Sequence, residues 1–287
     1  MKGKRYKTIK IQFEYWKPGT NIVDRIVKIL KGKVKDGDVV VLSEKALSVA
    51  LGYVADESLI KPTVLSKFFT FFWMRLVWGY LLGHLCKLKT STIRWLRTYP
   101  INNGAAHKQL TLKVTGLAQT LKPFSEGGID ASNLPHNFVS LPIMNLQEKT
   151  DCLRKKLEND LNIKLTLMVV DSDRLYISKN KKIPLKLSTR KTCCKTVLSL
   201  GFLAYLVGRI FRKRFKPTAT PLAISGRNFS DEEVLTIAEI ADRVRGYGSG
   251  RTVFEMAEYF KAPVDRVTWE MLEKIRHYPV VVVRTQN

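Results

Sequence analysis

The chain has 287 residues, 45 % hydrophobic and 26 % charged, which allows one large domain or two ordinary ones and excludes wholesale disorder. Its 49 Lys and Arg against 25 Asp and Glu leave a formal charge of +24, which calls for an anionic partner: nucleic acid, an acidic membrane face or phosphorylated ligands. The four cysteines include the adjacent Cys193 and Cys194 and no Cys-x-x-Cys spacing. With Lys2, Lys4, Arg5 and Lys7 followed by no apolar signal core, a reduced, cytoplasmic protein without a zinc site is expected.

Taken in order, residues 8–15 alternate apolar and polar and predict a strand. Asn21 is placed to cap a helix whose apolar face holds Ile22, Val23, Ile26, Val27, Ile29 and Leu30. After the turn Asp36-Gly-Asp38, the run Val39-Val-Val-Leu42 suits a strand buried on both faces. Ser43, Glu44 and Lys45 then open a helix over residues 46–52, either as a strand-to-helix ligand site or as an ordinary capping box.

Residues 64–88 are crowded with aromatic and aliphatic side chains, but Arg75 interrupts them and the longest uncharged run, 76–86, has 11 residues. A bilayer core needs about 20 apolar residues and a central Arg costs on the order of 3 kcal/mol. An interfacial helix or re-entrant hairpin is the reading taken over a buried core helix or a true span. Gly79 and Gly83 would equally allow close helix packing. Arg94, Trp95, Arg97 and Tyr99 form a basic-aromatic cluster, fit for nucleic acid, lipid headgroups or plain solvent.

Residues 110–116 alternate as a strand. They lead to Glu126-Gly-Gly-Ile-Asp-Ala-Ser-Asn-Leu-Pro135, where paired glycines allow a tight turn and Asp130 and Asn133 follow at a three-residue spacing. A hard oxygen ligand and a two-faced amide on one turn suit a metal–nucleotide site, or an Asx turn capping a helix. Residues 145–161 predict a surface helix. Residues 164–170 predict a buried strand delivering Asp171-Ser-Asp173 at its end, a place for a metal ligand and equally for a cap.

Residues 179–190 read as a basic loop, and residues 196–208 are an uncharged run of 13 ending in Arg209, Arg212, Lys213, Arg214 and Lys216. The two apolar segments are expected to lie side by side as one membrane-facing patch with that basic collar. Ser230-Asp-Glu-Glu233 is a capping box for a helix over 234–244. Gly246-Tyr-Gly-Ser-Gly250 is a flexible turn and not a Walker loop. A helical segment over 251–275 and a strand over 280–284 complete the chain.

Four pieces resemble the coenzyme F420-0:L-glutamate ligase family: residues 37–48, Gly128-Ile-Asp-Ala-Ser-Asn133, Val169-Val-Asp-Ser172 and Tyr278-Pro-Val-Val-Val-Val-Arg284. The resemblance implies an α/β (mixed α+β) fold of the F420-0:gamma-glutamyl ligase kind, one region with core 1–55, 108–176 and 218–287 and inserted apolar or basic segments at 56–107 and 177–217. It implies GTP as co-substrate, Mg²⁺ or Mn²⁺, an acyl phosphate attacked by the amine of L-glutamate or another amino acid, a phosphorylated small-molecule acid as acceptor, and a homodimer. Asp130, Asp171 and Ser172 would ligate metal, and Glu44, Lys45 and Asn133 would meet the nucleotide. Val49 and Leu51 stand where the family pattern has Lys and Glu. The alternative is a catalytically weakened relative acting at the inner, anionic face of a membrane. Nucleic-acid binding ranks third, because no recognised module is present.

Overall fold

The computed structural model describes residues 5–263 and 266–286; Lys2 and Lys4 of the basic start lie outside them. Its strands are β1 (Arg5–Phe13), β2 (Val39–Ser43), β3 (Val54–Asp56), β4 (Phe138–Ser140), β5 (Thr166–Ser178), β6 (Lys186–Ser188), β7 (Leu198–Ser199), β8 (Phe215–Ser225) and β9 (His277–Gln286). The main sheet runs β1-β9-β2-β5-β6-β7, and β8 pairs with β5 along its other course. β2 and β5 are parallel, while β1–β9, β9–β2 and β5–β8 are antiparallel. β3 and β4 form a separate ribbon.

The apolar run of β2 is covered on both sides, as expected of it. Val40 and Leu42 pack with Ile26, Leu30 and Leu157 from the helices Ile22–Leu30 and Leu146–Leu161. Val39 and Val41 pack with Val234, Ile237 and Ala238 from the helix Asp231–Arg245 on the opposite face. Successive strand side chains point to opposite faces, so an all-apolar strand needs two covering layers. Each fully buried Val or Leu contributes about 1.5–3 kcal/mol. The caps form where the sequence places them: Asn21 accepts from the Asp24 amide, and both halves of the Ser230–Glu233 box are made. Ser43 makes no side-chain cap to the helix Glu44–Ala50.

Three local expectations are corrected. Residues 110–116 are not a strand but part of the helix Ile101–Thr115, and Leu112 and Val114 from that alternation stand exposed. Tertiary packing decides this: a Cβ on Gly104 would come within 2.3 Å of the Tyr99 ring, and the ammonium of Lys108 donates to the Thr120 and Lys122 carbonyls at 3.0 and 2.6 Å. β5 does not end before Asp171 but runs on to Ser178, with a register shift against β8 between Asp171 and Arg174. The helical segment over 251–275 is two helices, Val253–Phe260 and Trp269–Glu273, with 264 and 265 outside the described residues.

Residues 64–85 form a continuous helical rod whose middle, Thr70–Leu82, is wound as π-helix. Ser66, Thr70, Met74, Trp78 and Gly83 are buried, a spacing of four to five that matches i→i+5 winding rather than the 3.6 of an α-helix. Gly79 and Gly83 do permit close packing, since a Cβ at Gly79 would collide with Arg97 and one at Gly83 would crowd Ile93 at 3.2 Å. The two apolar segments lie together: Phe202 of the helix Phe202–Ile210 sits edge-on to Trp73 and Trp78, and Tyr205 to Trp78. Among the described residues no helix is long and apolar enough to cross a membrane.

Candidate functional site

Five pieces of chain meet at the C-terminal end of β2. They are the start of the helix Glu44–Ala50, the turn 126–135, the shifted stretch of β5, the segment after β6 and the loop 246–250. An acid pair is held at the centre by one guanidinium. Arg190 donates to both carboxylate oxygens of Glu44, at 2.7 and 2.9 Å, and to Asp171 at 2.5 Å. Its guanidinium lies against the backbone of Gly128, where a Cβ would be 2.8 Å from the nitrogens and φ is +103°. Glycine is required there both for the turn and for the approach of the cation. Burial pushes the Glu44 carboxyl up to about 7 despite Arg190. Burial also opposes ionisation of Asp171, but the Arg190 charge and hydrogen bond hold it below its ordinary value.

Asp130 belongs to the same cleft. Its side chain is paired with the Lys45 ammonium, which also donates to Ser132 Oγ at 2.6 Å. The other oxygen accepts from the Ser132 amide at 2.7 Å, an Asx turn, though no helix follows it. Asn133, at φ +54°, is a clasp. Its Oδ1 accepts from the Ser249 amide and hydroxyl at 2.8 and 2.7 Å, and its Nδ2 donates to the carbonyls of Gly250 and Tyr247. The Tyr15 hydroxyl donates to the Asn133 carbonyl. The amide expected to meet nucleotide thus holds the glycine loop 246–250 in place.

Glu44, Lys45, Asp130 and Asp171 are therefore brought together. Ser172 lines the same cleft, with its hydroxyl donating to Asp242 at 2.8 Å and accepting from Arg245 at 2.9 Å. Asp173 takes the inward place, paired with Lys122 at 2.7 Å; burial raises its carboxyl to about 6 even with that ammonium adjacent. Val49, at the position where the family pattern has Lys, is buried in the cleft wall, and Leu51 is exposed. Arg190, Lys122 and Asp173 were not singled out as site residues from sequence. No acid near either cation in sequence names its partner: Asp173 is 51 residues from Lys122 and Glu44 is 146 from Arg190.

Two cavities adjoin. The cleft just described is about 320 Å³; a larger one of about 560 Å³ shares Phe124, Ser125, Asp130 and Arg251 with it as a common wall. The larger cavity has Trp95 at its side, edge-on to Tyr99 and Phe254 and stacked on Phe124. An ionic chain runs along its wall, through Glu57, His107 and Glu126. His107 bridges Glu57 and Glu126 at 2.5 and 3.2 Å, and Lys108 binds Glu126 at 2.6 Å. Burial works against the His107 charge, yet the two carboxylates raise it to about 10, while Lys108 and His107 outweigh burial and lower Glu126 to about 2.

A parallel β2–β5 pair, an acid-rich strand-to-helix cleft and the turn 126–135 define the class. The chain belongs to the F420-0:gamma-glutamyl ligase family, whose model matches residues 10–179. The family is one of ligases, and the mixed α/β architecture agrees with it. The chain is also 33 % identical to the uncharacterized protein MJ1361 of Methanocaldococcus jannaschii over 288 residues, 96 % of each chain.

Proposed function

We propose that the chain is a GTP-dependent acid–amino-acid ligase of the gamma-glutamyl type. The observation that carries the reading is the convergence of Asp130, Asp171, Asp173 and Lys45 on one cleft of about 320 Å³, with Lys122 and Arg190 paired from behind it to Asp173 and Asp171. In this reading GTP transfers its terminal phosphoryl group to a substrate carboxylate, giving GDP and an acyl phosphate. The amine of glutamate then attacks the acyl carbon, and inorganic phosphate leaves. Lys45, partly exposed and lining the cleft, is a cation placed to meet a phosphate, because its ammonium can turn from Asp130. It is our candidate for the charge that Val49 lacks.

A divalent ion fits the donor chemistry of the cleft in kind, since Asp130 and Asp171 are hard oxygen donors. Each is already satisfied by a cation, and among the described residues no three or more His, Cys, Asp or Glu are grouped to hold a metal. Mg²⁺ and Mn²⁺ bound through one or two carboxylates take their remaining ligands from phosphate oxygens, so the ion is proposed to arrive with the nucleotide. Asp130 and Asp171 would hold it, and when bound it would offset the charge that develops in phosphoryl transfer. Asn133 keeps the loop 246–250 against the cleft, and Ser172 supports Asp242 rather than the ion. The larger cavity, with its aromatic wall, is the proposed place for the body of the phosphorylated acid. A homodimer belongs to the same expectation and is read by sedimentation.

Calorimetric titration of GTP with Mg²⁺ or Mn²⁺ should give binding that Asp130→Ala weakens by about tenfold or more. Binding that is equal with and without the ion would remove the metal from the reading, and no binding of any nucleoside triphosphate would remove the ligase. Buried Val49 favours the second reading, a weakened relative. Nucleotide binding without γ-glutamyl product by mass spectrometry would select it.

A further inference from the structure

The net charge is not spread over the chain. Residues 60–125 contain ten Lys and Arg and residues 174–230 fourteen, and neither stretch contains an Asp or Glu. The whole excess of +24 therefore lies in these two stretches, and the remainder balances at 25 against 25. They are also the stretches that build the helical unit of the rod 64–85 and the helix Phe202–Ile210. That unit buries Met74, Trp78 and Phe202 but leaves its other face bare. Leu65, Phe68, Phe72, Leu76, Leu81 and, from the second stretch, Leu203 are between 40 and 71 % exposed. Phe68 and Phe72 stack on each other rather than on the core.

The same unit carries exposed cations. Arg212, Lys213 and Arg214 directly follow the second helix, are exposed, and form no ion pair among the described residues. The Arg97 guanidinium lies 4.3 Å from the Tyr80 ring centre, and Arg209 reaches the Lys87 carbonyl at 3.5 Å, joining the second helix to the end of the rod. So many exposed Leu and Phe side chains on one helical unit mark an interaction site. A second copy would bring the same cations face to face with no acids to answer them. Nucleic acid would use the cations but has no use for a row of Leu side chains, which cannot stack on bases. An anionic bilayer surface takes both: Leu and Phe enter the headgroup–acyl boundary while Lys and Arg meet the headgroups.

We infer that the helical unit docks the protein on an anionic lipid surface, lying on it rather than crossing it. The same unit supplies Trp95 and Tyr99 to the wall of the larger cavity, so docking holds that cavity close to the membrane. The inference does not depend on the ligase chemistry and survives its failure.

The full chain is tested by co-sedimentation with vesicles of phosphatidylcholine alone or mixed with phosphatidylserine. Binding is expected on the mixed vesicles only, weakened about 100-fold at low salt by Arg212→Gln, Lys213→Gln and Arg214→Gln together. Phe68→Ser with Leu81→Ser, both at exposed positions, is expected to reduce it separately by about tenfold or more. Circular dichroism checks that the variants fold. Equal binding to both vesicle types, or none to either, overturns the inference. So does a concentration-dependent dimer that the Phe68 and Leu81 changes dissolve, which would give the face to a second copy. Partition to anionic vesicles that is abolished by an added oligonucleotide and insensitive to the Phe68 and Leu81 changes would assign the charge to nucleic acid instead.

Discussion

Strand β2 and the rod 64–85 are both built largely of apolar residues, yet β2 is covered on two faces and the rod on one. The difference lies in what surrounds them. β2 is flanked by helices above and below the sheet, and the charges of that region balance. The rod has one helical neighbour layer and belongs to a stretch without a single acid. Apolar content alone therefore does not say whether a segment is core. The charge sign of its neighbours in sequence adds the missing information.

Arg190 ties the two regions together, because it comes from an acid-free stretch and ends among the acids of the core cleft. Arg190→Ala should destabilise the fold by about 3–5 kcal/mol in urea unfolding, since it leaves Glu44 and Asp171 buried without their cation. A loss below about 1 kcal/mol would mean that the two regions are energetically separate. The comparison sharpens with one leucine from each. Leu42→Ala should cost about 2–5 kcal/mol, whereas Leu81→Ala should stay within about 0.5 kcal/mol. Equal costs would show that the rod face is covered in solution.

The ionic chain in the wall of the larger cavity makes stability depend on pH. Below about pH 6.5 His107 is charged in both folded and unfolded chains. Between 6.5 and about 10 the unfolded chain releases that proton and the folded chain keeps it. The folded state then binds more protons, so stability falls as pH rises across this window, by roughly 1–3 kcal/mol. Glu126, lowered to about 2, adds stability above about pH 4.5 that is lost on acidification toward 2. The gap in melting temperature between wild type and His107→Gln should therefore narrow from pH 6.5 to 10; a constant gap would contradict it. Least of the four, Ser230→Ala should cost about 1 kcal/mol through the lost cap.

Much of the architecture was legible. The strands around Val39–Ser43 and the terminal β9 carry their burial in unbroken valine runs, and the helix caps are local devices that sequence spacing reveals. Residues 110–116 were misread because a seven-residue alternation fits a strand as well as a helix, and only Gly104 against Tyr99 and the buried Lys108 decide. In the site, Glu44, Lys45, Asp130 and Asp171 were named and do meet. Their cations were harder to find. Arg190 lies in a run of basic residues, and nothing local distinguishes the one that turns inward to an acid 146 positions away. Ser172 follows Asp171 into the cleft at the register shift of β5, but its hydroxyl is taken by neighbours that sequence spacing does not reveal. Its hydroxyl went to Asp242, and Asp173 came in beside Asp171.

Asp130 stands in the wall that the two cavities share. A ligand that draws its carboxylate away from Lys45 in the smaller cavity also changes the lining of the larger one. Linkage then makes the effect reciprocal: whatever factor one occupant imposes on the affinity of the other is returned in full. The order in which the two ligands load, and the synergy between them, would thus be written in a single side chain, and exchanging Asp130 for Asn is expected to make their binding independent.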